Sequence, residues 1–114
     1  MPYLSVQTNK KCSVTEVNDF LVRASKTVAA LLKKPESYVM IAQPDTTPIF
    51  FAGNSDPCAY LCLKSIDFPE QRSAEISSGL CELINTCFGI DPARIYIEFS
   101  SPARHLWGWD KRTF

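Results

Sequence analysis

The sequence predicts a single α+β domain over residues 1–114, built from a duplicated β-α-β unit with two helices on one face of a four-stranded sheet. The order strand, helix, strand, strand occurs twice, and Tyr3-Leu4-Ser5 in the first half is weakly echoed by Tyr60-Leu61-Cys62 in the second. Hydrophobic residues make up 46% and charged residues 21% of the chain, as in ordinary globular domains. Because parallel strands are joined by right-handed crossovers, both helices are expected on the same side of the sheet.

The first β-α-β unit begins with residues 3–8, whose alternating pattern predicts a short strand. Ser13 and Glu16 then have the spacing of a capping box, which predicts a helix start. Lys33 and Lys34 are expected in the last turn of this helix, which Pro35 ends. The residues that recur at helical spacing and are expected to be buried are Val17, Phe20, Leu21, Ala24, Val28, Leu31 and Leu32.

The segment between the two units predicts two short strands and two turns. Residues 38–42 are apolar and predict a strand, while Pro44 to Pro48 have the composition of a turn. Residues 49–52 predict a second short strand, and residues 53–57 break the chain.

The second unit repeats the order of the first. Residues 58–66 predict a strand, residues 67–70 a helix start containing proline, and Gly89 the helix end. Strict alternation in residues 95–99 places Tyr96 and Glu98 on one face of a strand, and residues 106–109 form a last short segment. The apolar face of the second helix is expected to consist of Ile76, Leu80, Leu83, Ile84 and Cys87.

The predicted architecture leaves one face of the sheet without helices. An apolar sheet face needs a cover, so the sequence predicts an oligomer.

Charge and hydropathy exclude several partner classes. Twelve basic residues balance twelve acidic ones, so the chain has no cationic excess with which to bind nucleic acid or an anionic membrane. Residues 1–8 lack the features of a signal peptide, and no apolar run approaches the ~20 residues that span a bilayer. We therefore expect a cytoplasmic protein.

Cysteine and histidine usage argues against metal and disulfide chemistry. Five cysteines are an odd number and too few for a disulfide framework, so at least one thiol stays free, and reduced, mostly buried thiols are expected. His105 is the only histidine and has no second metal ligand nearby in sequence, so we expect a surface residue and no bound metal.

Pro2 is the most informative residue for catalysis. Removal of Met1 would leave the Pro2 nitrogen as a secondary amine, the one situation in which a proline nitrogen can act as a base. An N-terminal amine titrates near ~7.7–8, and the proline amine is intrinsically more basic, so an apolar pocket must lower its pKa. A lowering of about two units corresponds to ~2.7 kcal/mol, which is feasible for a partly buried terminus.

Several short segments, in this order along almost the whole chain, resemble the macrophage migration inhibitory factor family. They are residues 2–9 (PYLSVQTN), Lys34-Pro35 followed by Tyr38, residues 54–59 (NSDPCA), Ser65-Ile66, residues 94–97 (RIYI), residues 107–109 (WGW) and Thr113-Phe114. The resemblance implies the tautomerase fold and a homotrimer with active sites between subunits. It implies no cofactor.

The resemblance also implies roles for individual residues. Pro2 matches the catalytic base, and Lys34, or its neighbour Lys33, matches the lysine that pairs with a substrate oxygen. Ile66 matches a contact beside the proline, and Tyr96 matches a tyrosine that a neighbouring subunit contributes. Trp107 and Phe114 match apolar groups of the pocket, although plain core packing explains Phe114 equally well.

Two positions depart from the family pattern. Glu98 stands where relatives commonly have asparagine, and an ionised carboxylate there would weaken binding of an anionic substrate unless it is paired or protonated. Cys58 and Cys62 are four residues apart, one more than in the Cys-x-x-Cys of relatives. On a strand that separation is ~13 Å, too long for a disulfide, so thiol-disulfide oxidoreductase activity is not expected.

The leading functional hypothesis is a cofactor-independent keto–enol tautomerase acting on phenylpyruvate-type or dopachrome-type substrates. The alternative is a cytokine-like protein that is secreted without a leader and engages a cell-surface receptor, with catalysis secondary. A ligand-binding domain without any chemistry is a third reading.

Overall fold

Two β-α-β units and a C-terminal hairpin make up the chain in a computed structural model, which describes residues 1–114. The first unit contains β1 (Tyr3–Thr8), α1 (Val14–Leu32), β2 (Met40–Ile41) and β3 (Asp45–Thr46). The second contains β4 (Ala59–Lys64), α2 (Ser73–Phe88) and β5 (Ile95–Ser100). The hairpin consists of β6 (Gly108–Trp109) and β7 (Arg112–Thr113).

The main sheet has the strand order β2-β1-β4-β5, with β3 also pairing with β1. Strands β1 and β2 are parallel across α1, and β4 and β5 are parallel across α2. The two units meet in the middle of the sheet, where β1 and β4 are antiparallel and Tyr3 lies opposite Lys64. The predicted duplication of a β-α-β unit is therefore present.

Both helices cover the same face of this sheet, so the predicted α+β fold class is confirmed. Alternate residues Leu4 and Val6 of β1 point into the core, as do Leu61 and Leu63 of β4. The helices contribute Phe20 and Phe88, whose ring centroids lie 5.2 Å apart, together with most of the predicted apolar positions. Three predicted core residues, Leu21, Leu31 and Cys87, are only half-buried at the margin of the core. Neither helix combines the length and apolar character needed to cross a membrane.

The opposite face of the sheet has no helix, as predicted, but it is not apolar. It carries three tyrosines among mostly polar side chains: Tyr3, Ser5, Gln7, Tyr60, Cys62, Lys64, Tyr96, Glu98 and Ser100. The expectation of an apolar face was wrong because the polar members of the alternating strands lie here.

Helix α1 ends earlier than predicted. The capping box is present, with Ser13 Oγ accepting from Glu16 N–H and Glu16 accepting from Ser13 N–H. At the other end, Lys33 is left-handed with φ 55°, and Lys33 and Lys34 lie beyond the last helical residue rather than in the last turn. Proline disfavours helical geometry in the residue before it, so Lys34 leaves the helix before Pro35.

The segment between the units differs most from the prediction. Only Met40 and Ile41 of the expected 38–42 strand pair as a strand, and the expected turn at residues 44–48 contains β3. Residues 49–52 form no strand, although Phe51 makes an isolated bridge to Asn54. Side chains bind backbone carbonyls of this loop instead of strand partners. Asn9 donates to the Ile49 carbonyl at 3.3 Å, and Arg94 donates to the Phe51 carbonyl at 3.2 Å.

The second unit begins and ends close to its predicted positions. Strand β4 is shorter than the predicted 58–66, and a 3-10 turn at Glu70–Arg72 precedes α2. The last segment is more elaborate than expected, because a 3-10 turn at Arg104–Leu106 leads into the β6–β7 hairpin.

Candidate active site

Pro2 lies immediately before β1 and is fully buried, at the end of the sheet where β2 joins. Its carbonyl accepts a hydrogen bond from the Met40 N–H at 2.9 Å, which fixes Pro2 to the neighbouring strand. Met1 precedes it and is only partly buried. The sheet therefore holds the Pro2 nitrogen at a defined place beside the open end of the domain.

A cleft of about 510 Å³ opens at Pro2. Tyr38, Met40, Trp107 and Trp109 give it apolar walls, and Lys64 is its one charged side chain. Its remaining lining residues are Met1, Pro2, Tyr3, Ser37, Val39 and Gly108. A pocket of this size, mostly apolar with few polar groups, is typical of small-molecule sites.

Lys34 does not line this cleft but lies beside the amino terminus. Its Nζ donates to Ser65 Oγ at 2.8 Å and to the Ile66 carbonyl, and it shares a hydrogen bond with the Met1 amino group. Lys33 is exposed at the helix end and makes no such contacts. Of the two lysines considered from the sequence, Lys34 is thus the one beside the N-terminus.

The surroundings of the terminus lower the pKa of its amine. Burial, followed by the charge and hydrogen bond of Lys34, lowers the pKa of the Met1 amino group from 8.0 to about 6. Burial also lowers the pKa of Lys34. Both effects disfavour positive charge at this place, and Pro2 is buried more deeply than Met1.

Ile66 follows the end of β4 and is 3% exposed. Its carbonyl is already occupied by Lys34 Nζ and by Ser65 Oγ. Its backbone N–H, by contrast, lies outside the strands and helices and donates to no group of the chain. A free N–H beside the terminus is a donor available to an oxygen atom of a bound molecule.

The C-terminal hairpin builds the aromatic wall. Trp109 packs edge-on against Tyr38, with centroids 5.9 Å apart, and Phe114 stacks on Trp109 at 5.7 Å. The Phe114 N–H donates to the Trp107 carbonyl at 3.2 Å, which closes the hairpin. Trp107 therefore lies in the cleft, whereas Phe114 supports the wall from behind it.

Comparison with known proteins settles the family. A model of the macrophage migration inhibitory factor (MIF) family matches residues 1–114. The chain belongs to the MIF family. It is 34% identical over 116 residues to the MIF homologue of Trichinella spiralis, with 100% of both chains covered, and 38% identical over 102 residues to that of Brugia malayi, covering 87% of this chain and 86% of the relative.

Solved structures of the MIF family share the fold. The MIF homologue from Prochlorococcus marinus superimposes with a TM-score of 0.91 at 35% identity, covering 98% of each chain. The MIF of Trichinella spiralis gives a TM-score of 0.89 at 34% identity, covering 98% of this chain and 99% of the other. MIF homologues belong to the tautomerase superfamily, and membership supports an isomerase or cytokine-like function in general.

Two residues that the sequence placed in the site do not reach Pro2 within one MIF subunit. Tyr96 lies level with Tyr60 and Gln7 on the uncovered face, five residues along β1 from Pro2, which is about 16 Å. It is 65% exposed and packs against Phe51 at 4.7 Å. Glu98 accepts a hydrogen bond from the Tyr60 hydroxyl at 2.7 Å, which raises the pKa of Tyr60.

The predicted cysteine and histidine properties hold in part in this MIF fold. All five cysteines are free, but only Cys58 is buried and the other four are half-buried. Burial raises the pKa of Cys12, Cys81 and Cys87, so these thiols are not activated. His105 is exposed in the 3-10 turn before Trp107.

Sequence reasoning did not assign several residues of this cleft to the site of the MIF subunit, among them Met40, Lys64, Trp109 and Tyr38. Met40 and Lys64 enter it because β2 and β4 flank β1 beside Tyr3, which depends on strand order. Trp109 and Tyr38 had been noted only as members of matching segments. The alternation of β4 was the available signal for Lys64, since it places this residue on the uncovered face with Tyr60.

Proposed function

We propose that this chain is a cofactor-independent keto–enol tautomerase whose general base is the Pro2 nitrogen, freed by removal of Met1. The observation that supports it is the pair of effects at the terminus, where burial and Lys34 lower the pKa of the Met1 amino group, next to Pro2, to about 6. The same surroundings favour the uncharged form of the Pro2 amine once Met1 is removed, and an uncharged amine can accept a proton. The proposed substrates are carbonyl compounds of the phenylpyruvate or dopachrome type.

The proposed reaction moves one proton. The Pro2 nitrogen removes a proton from the carbon next to the substrate carbonyl, and the electron pair of that C–H bond forms the enol double bond as the carbonyl oxygen takes up negative charge. The protonated Pro2 nitrogen then gives up this proton to that oxygen, which regenerates the free base, and the reverse direction returns the proton to carbon. No electron leaves the substrate, so no redox cofactor takes part.

Three residues bind the substrate and stabilise the negative charge that develops on its oxygen: Lys34, Ile66 and Trp107. Lys34 Nζ uses two of its three donors on Ser65 and Ile66, and its third faces Met1, so removal of Met1 frees that donor for a substrate oxygen. The unpartnered Ile66 N–H is a second donor for the developing oxyanion. Trp107, supported with Trp109 by Phe114, packs against the aromatic ring.

We further propose a homotrimer in which a neighbouring subunit brings Tyr96 and Glu98 to the site. The exposed rings of Tyr60 and Tyr96 on the uncovered sheet face and the distance of Tyr96 from its own Pro2 support this arrangement. A chain of 12.8 kDa then has three times that mass in solution, which light scattering measures. A monomeric mass would contradict the proposal that Tyr96 and Glu98 reach the site from a neighbouring subunit. The trimer needs no nucleic acid or membrane partner.

Insertion of a glycine before Pro2 tests the mechanism. The insertion converts the Pro2 nitrogen to an amide, so phenylpyruvate turnover should disappear while the trimer mass and the thermal unfolding midpoint stay unchanged. Intact-mass measurement first establishes that Met1 has been removed from the reference protein. Undiminished turnover in the insertion variant contradicts the assignment of Pro2 as the base.

The name of the family supports a second candidate function. As a cytokine-like protein, the chain would be made in the cytoplasm, secreted, and act through a cell-surface receptor. Catalysis would then be secondary to receptor binding. A Pro2→Gly variant separates the two: loss of catalysis with a retained cellular response favours the receptor function, and loss of both favours the enzyme.

A further inference from the structure

Lys64 is an unpaired cation in the cleft. It is the last residue of β4 and lies opposite Tyr3, the residue after Pro2. Its side chain lines the cleft, and it forms no ion pair and no hydrogen bond with any side chain of the subunit. All three ammonium donors of Lys64 are therefore free to bind a molecule in the cleft.

The charges around the cleft leave two cations without acidic partners. No aspartate or glutamate lines the cleft. Arg104, the other cation near the terminus, is paired with Asp67 at 2.8 Å. Lys34 is hydrogen-bonded to the neutral acceptors Ser65 and Ile66 and shares the charge of the nearby Asp67 with Arg104, and Lys64 has no partner at all. The unbalanced charge of the site is thus that of two lysines.

The two lysines approach the site from different sides of β4. Lys64 belongs to the uncovered face, in register with Tyr3, whereas Lys34 contacts the buried Ser65 and Ile66 just after the strand. Lys64 lines the cleft together with Pro2 and the aromatic walls, and Lys34 adjoins the amino terminus that precedes Pro2. A single carboxylate at Lys34 would leave Lys64 unsatisfied, whereas a molecule with an anionic group at each end would satisfy both.

From this placement we propose that Lys64 is a specificity-determining residue, selecting aromatic keto acids that carry a second anionic group. The inference rests on the proposed function for its reaction but concerns binding alone. Lys34 takes the carboxylate or enolate near Pro2, the ring lies against Trp107 and Trp109, and Lys64 pairs with the distal anion. Because Lys64 is exposed, the preference is modest and depends on salt.

Calorimetric titration with two unreactive ligands tests the proposal: cinnamate, with one carboxylate, and 4-carboxycinnamate, with two. We expect the processed protein to bind the dianion about fivefold more tightly at low salt, the upper range for an exposed ion pair. Lys64→Gln should bind both ligands equally. Lys26→Gln, which removes the same charge from a helix surface away from the cleft, should keep the preference.

Three results overturn the proposal: equal affinities in the unaltered protein, a preference that survives in Lys64→Gln, or no binding of either ligand. Equal weakening of both ligands by Lys64→Gln also overturns it, because Lys64 would then act on the first carboxylate. Phenylpyruvate turnover, measured on the same samples, reports separately on the proposed tautomerase. Absence of turnover together with the predicted binding pattern would overturn the tautomerase and retain the role of Lys64.

Discussion

Replacement of Lys34 by methionine should shift the pH dependence of the proposed reaction. The environment of the terminus lowers the pKa of the Met1 amino group from 8.0 to about 6, with burial as the largest cause and Lys34 next, and it acts in the same direction on a Pro2 amine at that place. At pH 7 an amine with a pKa of about 8 is about one-tenth uncharged, and one with a pKa of about 6 is about nine-tenths uncharged. A lowering of this size thus raises the uncharged fraction of an amine at pH 7 about tenfold, from about 9% to about 91%.

The Lys34→Met variant removes the positive charge and the hydrogen bond but keeps most of the burial. The acid limb of kcat/KM should therefore move to higher pH by less than two units, since a cation next to the amine favours its uncharged form. A base-dependent part of the lost activity should return at pH 9, whereas the part due to weaker substrate binding should not.

The assay is the pH profile of kcat/KM for phenylpyruvate between pH 5 and pH 9, compared with the unaltered protein. Lys33→Met is the matched control, because Lys33 is adjacent but exposed and should leave the limb where it is. An acid limb that stays in place in Lys34→Met, or moves to lower pH, contradicts the role assigned to Lys34.

Two further predictions concern stability and are measured by urea unfolding. Phe20→Ala should lower the free energy of unfolding by about 3–5 kcal/mol because Phe20 is fully buried against Phe88, whereas Val22→Ala on the exposed face of the same helix should change it by less than about 0.5 kcal/mol. An alanine Cβ at Gly79 would lie 2.8 Å from Leu31 Cδ2, a flexible side-chain end, so Gly79→Ala should change stability by less than about 1 kcal/mol, its gain in helix propensity offsetting the contact. A large loss in Gly79→Ala would show that Leu31 cannot move.

The sequence was sufficient for the elements that local patterns determine. The capping box of Ser13 and Glu16, the apolar stripe of α1 and the alternation of β5 each depend on residues close together in the chain. Residues 44–52 were wrongly predicted because their structure depends on distant partners. Asp45 and Thr46 pair with β1, and side chains from Asn9 and Arg94 bind the following loop.

The candidate site divides in the same way. Pro2 stood out by its position in the chain, and the family resemblance added Lys34, Ile66 and Trp107, which lie around the terminus or in the cleft. Lys64 and Met40 were missed because their access to the cleft follows from strand order, which no local pattern encodes. The choice between Lys33 and Lys34 likewise required the exact helix end.

The position of the left-handed Lys33, directly after α1, restricts how the length of this helix can vary during evolution. Successive residues of a helix are rotated by about 100°, so one residue added to or lost from α1 would swing Lys34 away from Ser65. Length variation in this helix is thus restricted to whole turns or must be absorbed before Ser13. The number of residues in α1 therefore determines whether the Lys34 ammonium lies beside Pro2.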